Sequence, residues 1–252
     1  MITIGNFIFR WRDTLFTLIL LSAFPVVIYT NCPGIESFLP VQQALGDWIM
    51  GIAGLVLLVS GFGVRIITIG YAYIKRGGLN KQIYAESVVR RGMFAHCRNP
   101  MYLGNLLIVT GGIVAFNMLY FFPVLLLFYF FYACIIVAEE HFLGQRFGAD
   151  YADYLKTVPR LLPNKLSQWK TSIEGMDFTW KRVLKKEHGS IAVVMGSLVV
   201  FTAMKLVFRY QLSWNDPAVY ATWAVLAGLL LVYFLLEGLK RSSRLEWDPN
   251  RP

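Results

Sequence analysis

The sequence predicts an all-α polytopic membrane protein with about six transmembrane helices. Of its 252 residues, 56% are hydrophobic, and the mean hydropathy is +0.53. Soluble domains are less apolar, at about 45–50%. Several apolar runs also approach the roughly 20 residues that cross a hydrocarbon core. Because a helix satisfies its own backbone hydrogen bonds in lipid, we expect each run to be helical.

Six runs have the length and composition of spans: 14–30, 48–74, 102–117, 119–138, 190–208 and 218–237. A very short turn at Asn117-Met118 joins the third run to the fourth, which predicts a helical hairpin. The first run follows Arg10 and Arg12 as in a signal peptide. No small-residue cleavage site comes after it, so we expect a retained helix.

The chain is expected to form a single membrane domain over 1–252. Within it, N-terminal helices occupy 14–84 and a core occupies 85–163. The remainder, 164–252, adds a basic interfacial segment and two further spans. Residues 178–188 are predicted to be that segment, an interfacial helix with a basic face.

The distribution of lysine and arginine among the loops predicts the orientation of the chain in the membrane. Loop 75–101 carries six of them and loop 139–189 carries nine, whereas segment 31–47 carries none. By the positive-inside rule, both long loops and both termini face the cytoplasm. Topology then accounts for the net charge of +9 without a nucleic-acid partner. The interleaved aromatic and basic residues of single-strand binders are also missing from the sequence.

Two cations lie inside predicted spans. Arg65 is nine residues from the end of the second span, and we expect it to snorkel to the headgroups. Projection into a polar cavity is the alternative. Lys205 lies near the outer end of its span and is also expected to snorkel.

A polar motif begins the third span: Arg98-Asn99-Pro100-Met101-Tyr102-Leu103-Gly104. Asn99 and Pro100 suit a helix N-terminus, and a well-made helix start is the simplest interpretation. That interpretation does not require Arg98, Tyr102 or Gly104. Because a helix N-terminus attracts anions, this one, with Arg98 beside it, suits a carboxylate or a phosphate.

An acidic pair, Glu139-Glu140, ends the fourth span. Acids are unfavourable at a helix C-terminus, and charges in membrane spans usually have a function. Adjacent helical residues point about 100° apart. We therefore expect one glutamate to face a site and the other a basic loop residue. A structural ion pair with Arg98 or Arg146 is an equally good explanation for either glutamate alone.

The motif and the acidic pair together predict a cofactor site. S-adenosylmethionine fits, because its carboxylate would bind Arg and N–H groups while its ammonium and ribose hydroxyls would bind carboxylates. NADPH could use the same groups. The cysteines Cys32, Cys97 and Cys134 have no metal-ligand spacing, so no metal is expected. Cys97 is expected to be a small buried residue rather than a nucleophile.

Over about residues 85–163 the chain resembles a known superfamily, that of isoprenylcysteine carboxyl methyltransferases and phospholipid methyltransferases. The resemblance rests on Val88 to Cys97, the Arg98–Gly104 motif, the apolar hairpin, Glu139-Glu140, Phe147-Gly148, Tyr151, Tyr154, Val158-Pro159-Arg160 and Pro163. It implies an integral membrane methyltransferase, in a bacterial inner membrane, whose S-adenosylmethionine lies in a cytoplasm-facing pocket. The acceptor would be a lipid or lipid-modified molecule that enters from the bilayer.

By position, the resemblance assigns cofactor binding to the motif and the acidic pair, through Arg98, Asn99, Pro100, Tyr102, Gly104, Glu139 and Glu140. It makes Glu140, Arg98 and Glu139 the candidate catalytic residues. Asn99 stands where the isoprenylcysteine enzymes usually have histidine, and asparagine cannot serve as a base. His96 could replace that base or could be structural.

The sequence leaves the methyl acceptor open. A carboxylate acceptor could be oriented by Arg98, Arg146 or Arg160, and an amine could give its proton to Glu139 or Glu140. Two other functions remain as alternatives. Membrane sterol reductases share a related Arg-x-Pro-x-Tyr pattern and use NADPH, and a membrane scaffold or transporter could keep only the fold. The broken spans typical of transporters are not evident, and the oligomeric state is unknown.

Overall fold

The computed structural model describes residues 1–29, 33–38, 42–72 and 83–246. Cys32 lies outside these ranges. The regular structure of the described residues is helical throughout. Eight α-helices follow one another: α1 Ile2–Tyr29, α2 Gln43–Tyr71, α3 Pro100–Phe116, α4 Phe121–Phe147, α5 Ala149–Thr157, α6 Trp169–Ser172, α7 Trp180–Met204 and α8 Pro217–Arg241.

Within the described ranges, five helices are long and apolar enough to cross a membrane: α1, α2, α4, α8, and α7 together with the π-helical turn Lys205–Arg209 that extends it. The apolar α3 has 17 residues and is shorter. At 1.5 Å per residue it is about 26 Å long, close to the roughly 30 Å of a hydrocarbon core. The predicted class, an all-α polytopic membrane protein, is confirmed.

Two boundaries differ from those expected. The first helix begins at Ile2 rather than at residue 14, so Arg10 and Arg12 lie within it. The separate interfacial helix predicted over 178–188 is wrong, because α7 begins at Trp180 and continues into the span. Its Arg182 is buried and donates to the carbonyls of Ile69 and Gly70 at the end of α2, 2.6 Å each. The basic segment is therefore anchored partly inside the bundle.

Glycines bring α2 and α3 into close contact. A Cβ on Gly61 would lie 2.7 Å from the carbonyl oxygen of Gly104, and a Cβ on Gly111 would lie 2.6 Å from that of Gly54. Such distances exclude a side chain at these positions. Small residues let two membrane helices approach until their backbones touch, which increases dispersion contacts between them. The α2–α3 pair is consequently the most closely packed part of the bundle.

Two ion pairs set the register of α2 against α7. Asp47 pairs with Lys205 at 2.7 Å, and Arg65 pairs with Glu187 at 2.8 Å. The two charged residues of each helix are 18 residues apart: Asp47 and Arg65 in α2, and Glu187 and Lys205 along α7 and its extension. Eighteen residues are five full helical turns, so both charges lie on one face of each helix. The helices can satisfy both pairs only when they run antiparallel in this register.

These pairs correct the expectations for the two cations in the spans. Arg65 is 6% exposed and does not snorkel; the alternative, projection towards a polar cavity, is what the structure shows. Lys205 is held by Asp47, with its side chain 11% exposed, and does not snorkel either. An intramembrane carboxylate is a better partner for each cation than distant headgroups, because it neutralises the charge without extending the side chain.

Candidate functional site

A cavity of about 790 Å³ lies among α1, α2, α3, α4 and α7. It extends from Arg98 and Glu139 at one end to Phe116, Phe121 and Phe201 at the other. Pro100 and Phe116 both line it, and 16 residues of α3 separate them, about 24 Å. Its volume is within the roughly 300–1,000 Å³ of ligand pockets. An elongated, mainly apolar cavity with a polar end suits an amphiphilic ligand.

The start of α3 forms part of the polar end. The backbone N–H groups of Arg98 and Asn99 donate to the carbonyls of Pro159 and Arg160 at 2.9 and 3.2 Å, which fixes that segment beside α3. Asn99 does not cap the helix with its side chain; the amide donates to the Arg160 carbonyl at 3.1 Å. The N–H groups of Met101 and Tyr102, in the first turn, have no intrahelical partner. They are available to an anion.

Arg98 is largely occupied by protein groups. Its Nη1 donates to the carbonyls of Leu155 and Val158 at 2.9 and 3.0 Å. Its Nε donates to Oε1 of Glu140 at 3.1 Å, and Arg160 binds Oε2 of the same carboxylate at 2.6 Å. Glu140 therefore neutralises two arginines and holds the loop after α5 against α3. It is not among the residues that line the cavity.

Glu139 does line the cavity, and the Tyr102 hydroxyl donates to its Oε1 at 2.7 Å. This is the geometry expected of the acidic pair, with one glutamate towards the cavity and the other on a basic loop residue, Arg160. Tyr102 also lines the cavity, as do Arg98, Asn99 and Pro100. The hydrogen bond fixes the direction in which the Glu139 carboxylate presents its second oxygen.

Gly104, placed in the cofactor block by the sequence, faces α2 instead of the cavity. A Cβ there would lie 2.5 Å from Cγ of Arg65 and 2.9 Å from the carbonyl oxygen of Gly61. Arg146 also lies elsewhere, over the rings of Tyr84 and Phe147. Neither residue is positioned to touch a ligand in the cavity.

A polar network lines the cavity further from this end. The Arg65 guanidinium binds both carboxylate oxygens of Glu187, at 2.8 and 2.9 Å, and also contacts Asn105. Asn105 donates to the Tyr132 hydroxyl at 2.9 Å, and Ser190 lies 3.4 Å from Arg65. The network joins α2, α3, α4 and α7. Of this network, the sequence singles out Arg65 alone, because Glu187 lies in a segment with several basic residues.

His96 and Cys97 are structural. His96 is 1% exposed, with Nδ1 2.9 Å from the Asn164 carbonyl and Nε2 3.0 Å from the Ser172 hydroxyl, and it does not line the cavity. Cys97 is fully buried, and its Sγ donates to the Leu161 carbonyl at 2.9 Å. Burial raises the pKa of the Cys97 thiol to about 11, so it stays protonated at neutral pH. A nucleophilic role for Cys97 is therefore not favoured.

The short helix α5 supports the polar end from outside the cavity. Tyr151 and Tyr154 are both buried, and the Tyr154 hydroxyl donates to the Phe94 carbonyl at 2.7 Å. Burial raises the pKa of both phenols above the usual range. Both phenols therefore remain neutral, and the hydrogen bond of Tyr154 ties α5 to the loop 92–97.

Exposed lining residues indicate a lateral opening of the cavity between α1 and α7. Asp13 and Thr17 of α1 and Val193 of α7 line it and are also exposed on the surface. The helix surfaces around this lateral opening are apolar: Leu18 is 59% exposed and Val193 is 62% exposed. A molecule dissolved in the bilayer could enter the cavity here without crossing the polar end.

Comparison with known families agrees with this architecture. Residues 49–150 match the sequence profile of one family and include the polar end of the cavity, from Arg98 to Glu140. That family is described as phospholipid methyltransferase, and the match supports the predicted resemblance to the isoprenylcysteine carboxyl methyltransferase and phospholipid methyltransferase superfamily. Neither a curated protein nor a solved structure matches the chain.

Proposed function

We propose that this protein is an S-adenosylmethionine-dependent methyltransferase that acts on a lipid or lipid-modified acceptor at the cytoplasmic face of the membrane. The observation that carries the proposal is the placement of Glu139. Its carboxylate, held by Tyr102, lies at the polar end of a long apolar cavity and next to the N-terminus of α3. This end falls within the region that matches a methyltransferase family.

The donor set at the polar end fits the cofactor. The free N–H groups of Met101 and Tyr102 suit the carboxylate of its amino-acid part. Arg98 adds positive charge beside them, although most of its N–H groups are bound to Glu140 and to backbone carbonyls. Glu139 suits an ammonium group or a ribose hydroxyl. Asn99 and Pro100 line the same end, and Gly104 would contribute only by letting α2 approach α3.

The protein's own contribution to the reaction would be positioning and the exclusion of water. The cofactor, when bound, supplies an electrophilic methyl group. Tyr102 keeps the Glu139 carboxylate in one orientation, and the aromatic and aliphatic walls keep water from the acceptor. For an amine acceptor, Glu139 would receive the proton released on transfer. Glu140 and Arg98 would act by holding the loop after α5 in place.

The cytoplasmic assignment rests on charge. In the sequence, the loops that flank the polar motif and the acidic pair, 75–101 and 139–189, carry six and nine lysines and arginines, whereas segment 31–47 carries none. A soluble cofactor could then reach the polar end from the cytoplasm while the acceptor enters through the lateral opening. Membrane location follows from the apolar helices themselves.

Ligand binding by the purified protein tests the proposal. We expect S-adenosylhomocysteine to bind the wild-type protein in detergent, and NADPH not to compete with it. Glu139→Gln should weaken the binding about tenfold, the effect of losing a charge-assisted hydrogen bond. Glu174→Gln is a suitable control, because that side chain is exposed and does not line the cavity. A well-folded wild type that binds NADPH and not S-adenosylhomocysteine would refute the methyltransferase.

The acceptor can then be found by labelling. Methyl-labelled S-adenosylmethionine is incubated with the protein and with total membrane lipids, and the labelled lipid is identified by mass spectrometry. We expect label in a lipid fraction that depends on the protein. Label confined to water-soluble products would contradict the proposed acceptor class.

A further inference from the structure

Three arginines of the described residues line the cavity, and Arg12 differs from the other two because no glutamate binds it. Arg65 is bound to Glu187, and Arg98 is bound to Glu140. Among the described residues, the guanidinium of Arg12 has no hydrogen-bond acceptor. Its Nε lies 3.6 Å from the adjacent Asp13 carboxylate, which is beyond hydrogen-bond distance, and its Cζ lies 4.7 Å from the centre of the Phe9 ring. Its side chain is 25% exposed.

The packing of α1 against α4 places Arg12 along the cavity. Before it, Ile8 and Phe9 pack against Cys134 and Ile135. After it, Phe16 stacks on Tyr132, with ring centres 5.8 Å apart. Arg12 therefore lies near the level of Tyr132, and its charge is close enough to interact with both Tyr132 and Glu139.

Beside Arg12, the Tyr132 hydroxyl is a second hydrogen-bond donor without an acceptor among the described residues. It accepts a hydrogen bond from Asn105 at 2.9 Å, but within the described ranges its own proton has no acceptor. Tyr132 is 5% exposed and lines the cavity. An unsatisfied buried donor costs about 1–3 kcal/mol, so an acceptor group brought by a ligand would be favoured here.

We propose that Arg12 and Tyr132 form an anion subsite in the cavity, for a phosphate or carboxylate group on an amphiphilic ligand. The inference rests on the proposed function insofar as that ligand is the methyl acceptor. Arginine binds both anions through paired N–H donors, and the tyrosine adds a third. Tyr132 and Glu139 are seven residues apart on α4, about 10 Å. The ligand would then carry its methylated group about 10 Å from its anion.

Asp13 bounds the subsite on the side of the lateral opening. Its side chain is 94% exposed and lines the same cavity. A carboxylate at this point weakens the attraction of Arg12 for an anion without occupying its N–H groups. Asp13→Asn should therefore strengthen the binding of anionic ligands.

The test compares ligands that differ only in the head group. Decyl phosphate, decanoate and decanol are titrated into the full-length protein in detergent, and inorganic phosphate is added as a chainless anion. The variants are Arg12→Gln, Tyr132→Phe and the control Arg10→Gln, which removes the same charge from an exposed position of α1 outside the cavity. S-adenosylhomocysteine binding is measured separately, so that failure of the proposed function is seen independently.

We expect at least one anionic probe to bind the wild type and Arg10→Gln about tenfold more tightly than decanol. Arg12→Gln should remove this preference and Tyr132→Phe should reduce it, with S-adenosylhomocysteine binding unchanged. Should Arg12→Gln fail to fold, Arg12→Lys is expected to keep part of the preference. Equal binding of all three probes, or a preference that survives in Arg12→Gln, overturns the proposal. So does inorganic phosphate binding as tightly as decyl phosphate, or the loss of S-adenosylhomocysteine binding in Arg12→Gln.

Discussion

At the scale of residues, two of the arginines that line the cavity, Arg65 and Arg98, are each neutralised by a glutamate. Glu187 holds Arg65 through two hydrogen bonds, and its own side chain is fully buried. Glu140 serves Arg98 and Arg160 at once. In both pairs the carboxylate is the group that allows a cation to be buried. The sequence-predicted Glu140 is therefore a positioning residue in our proposal, and Glu139 alone faces the cavity.

Removing Glu187 should destabilise the protein strongly. Glu187→Ala leaves the Arg65 charge buried without its carboxylate, a change that costs about 3–5 kcal/mol. The double variant Arg65→Met/Glu187→Leu removes both charges and should recover most of this loss. SDS titration of the detergent-solubilised protein would measure the free energy of unfolding. A loss in Glu187→Ala no larger than that in exposed Glu246→Ala would contradict this account of the pair.

At the scale of elements, the α2–α3 pair is the rigid wall of the cavity. Gly54 and Gly61 of α2 lie against the backbone of α3, and Gly104 and Gly111 lie against α2. Because backbone atoms cannot move aside as a flexible side chain can, these contacts fix both the distance and the register of the two helices. The position of the Arg98–Tyr102 turn relative to Arg65 follows from them.

Alanine at Gly61 should separate these helices. Its Cβ would lie 2.7 Å from the Gly104 carbonyl oxygen, whereas a Cβ on Gly63 would meet nothing within 4 Å. Gly61→Ala should cost about 1–3 kcal/mol through overpacking. Gly63→Ala should be neutral or slightly stabilising, since alanine has the higher helix propensity. Thermal unfolding of both variants in the same detergent gives the comparison, and equal midpoints would be inconsistent with the packing described.

At the scale of the whole molecule, the cavity separates two parts of the bundle. One wall is α1 with α4, and the other is α2 and α3 with α7. In our proposal the polar end binds the cofactor, and the far end, near Phe116 and Phe201, holds the apolar chain of the acceptor. The lateral opening between α1 and α7 leads into the space between them. In the proposed function, this arrangement lets one molecule enter from water and the other from lipid.

Filling the cavity should reduce activity according to the length of the acceptor. Gly112 lines the cavity, and a Cβ there meets nothing within 4 Å, so Gly112→Phe can be accommodated. We expect it to lower methylation of a long-chain acceptor about tenfold or more. A short-chain analogue and S-adenosylhomocysteine binding should be unaffected. Gly63→Phe, which points away from the cavity, is the control, and an equal loss in both variants would contradict the assignment of the far end to the acceptor's chain.

Much of this architecture could be predicted from local patterns. Hydropathy predicts the helices, and the Arg98–Gly104 motif and Glu139-Glu140 predict where the polar end of the cavity lies. The partners of Arg65 could not be read in the same way. Glu187 is 122 residues away and lies among lysines and a histidine, so only the docking of α7 on α2 brings it to Arg65. Hydropathy places the first span at residue 14, whereas α1 begins at Ile2, so the sequence does not predict that Arg12 lies within the helix.

The matched charges of α2 and α7 also have a consequence for how the chain is inserted into the membrane. Ribosomal synthesis completes α2, with Asp47 and Arg65, well over 100 residues before Lys205 is made. Until α7 is made, α3 can pack on α2 through its glycines, but neither charge has its ion-pair partner. Docking of α7 would then complete both ion pairs and fix α2 in its final position. The helix bundle is therefore complete only once α7 has docked on α2.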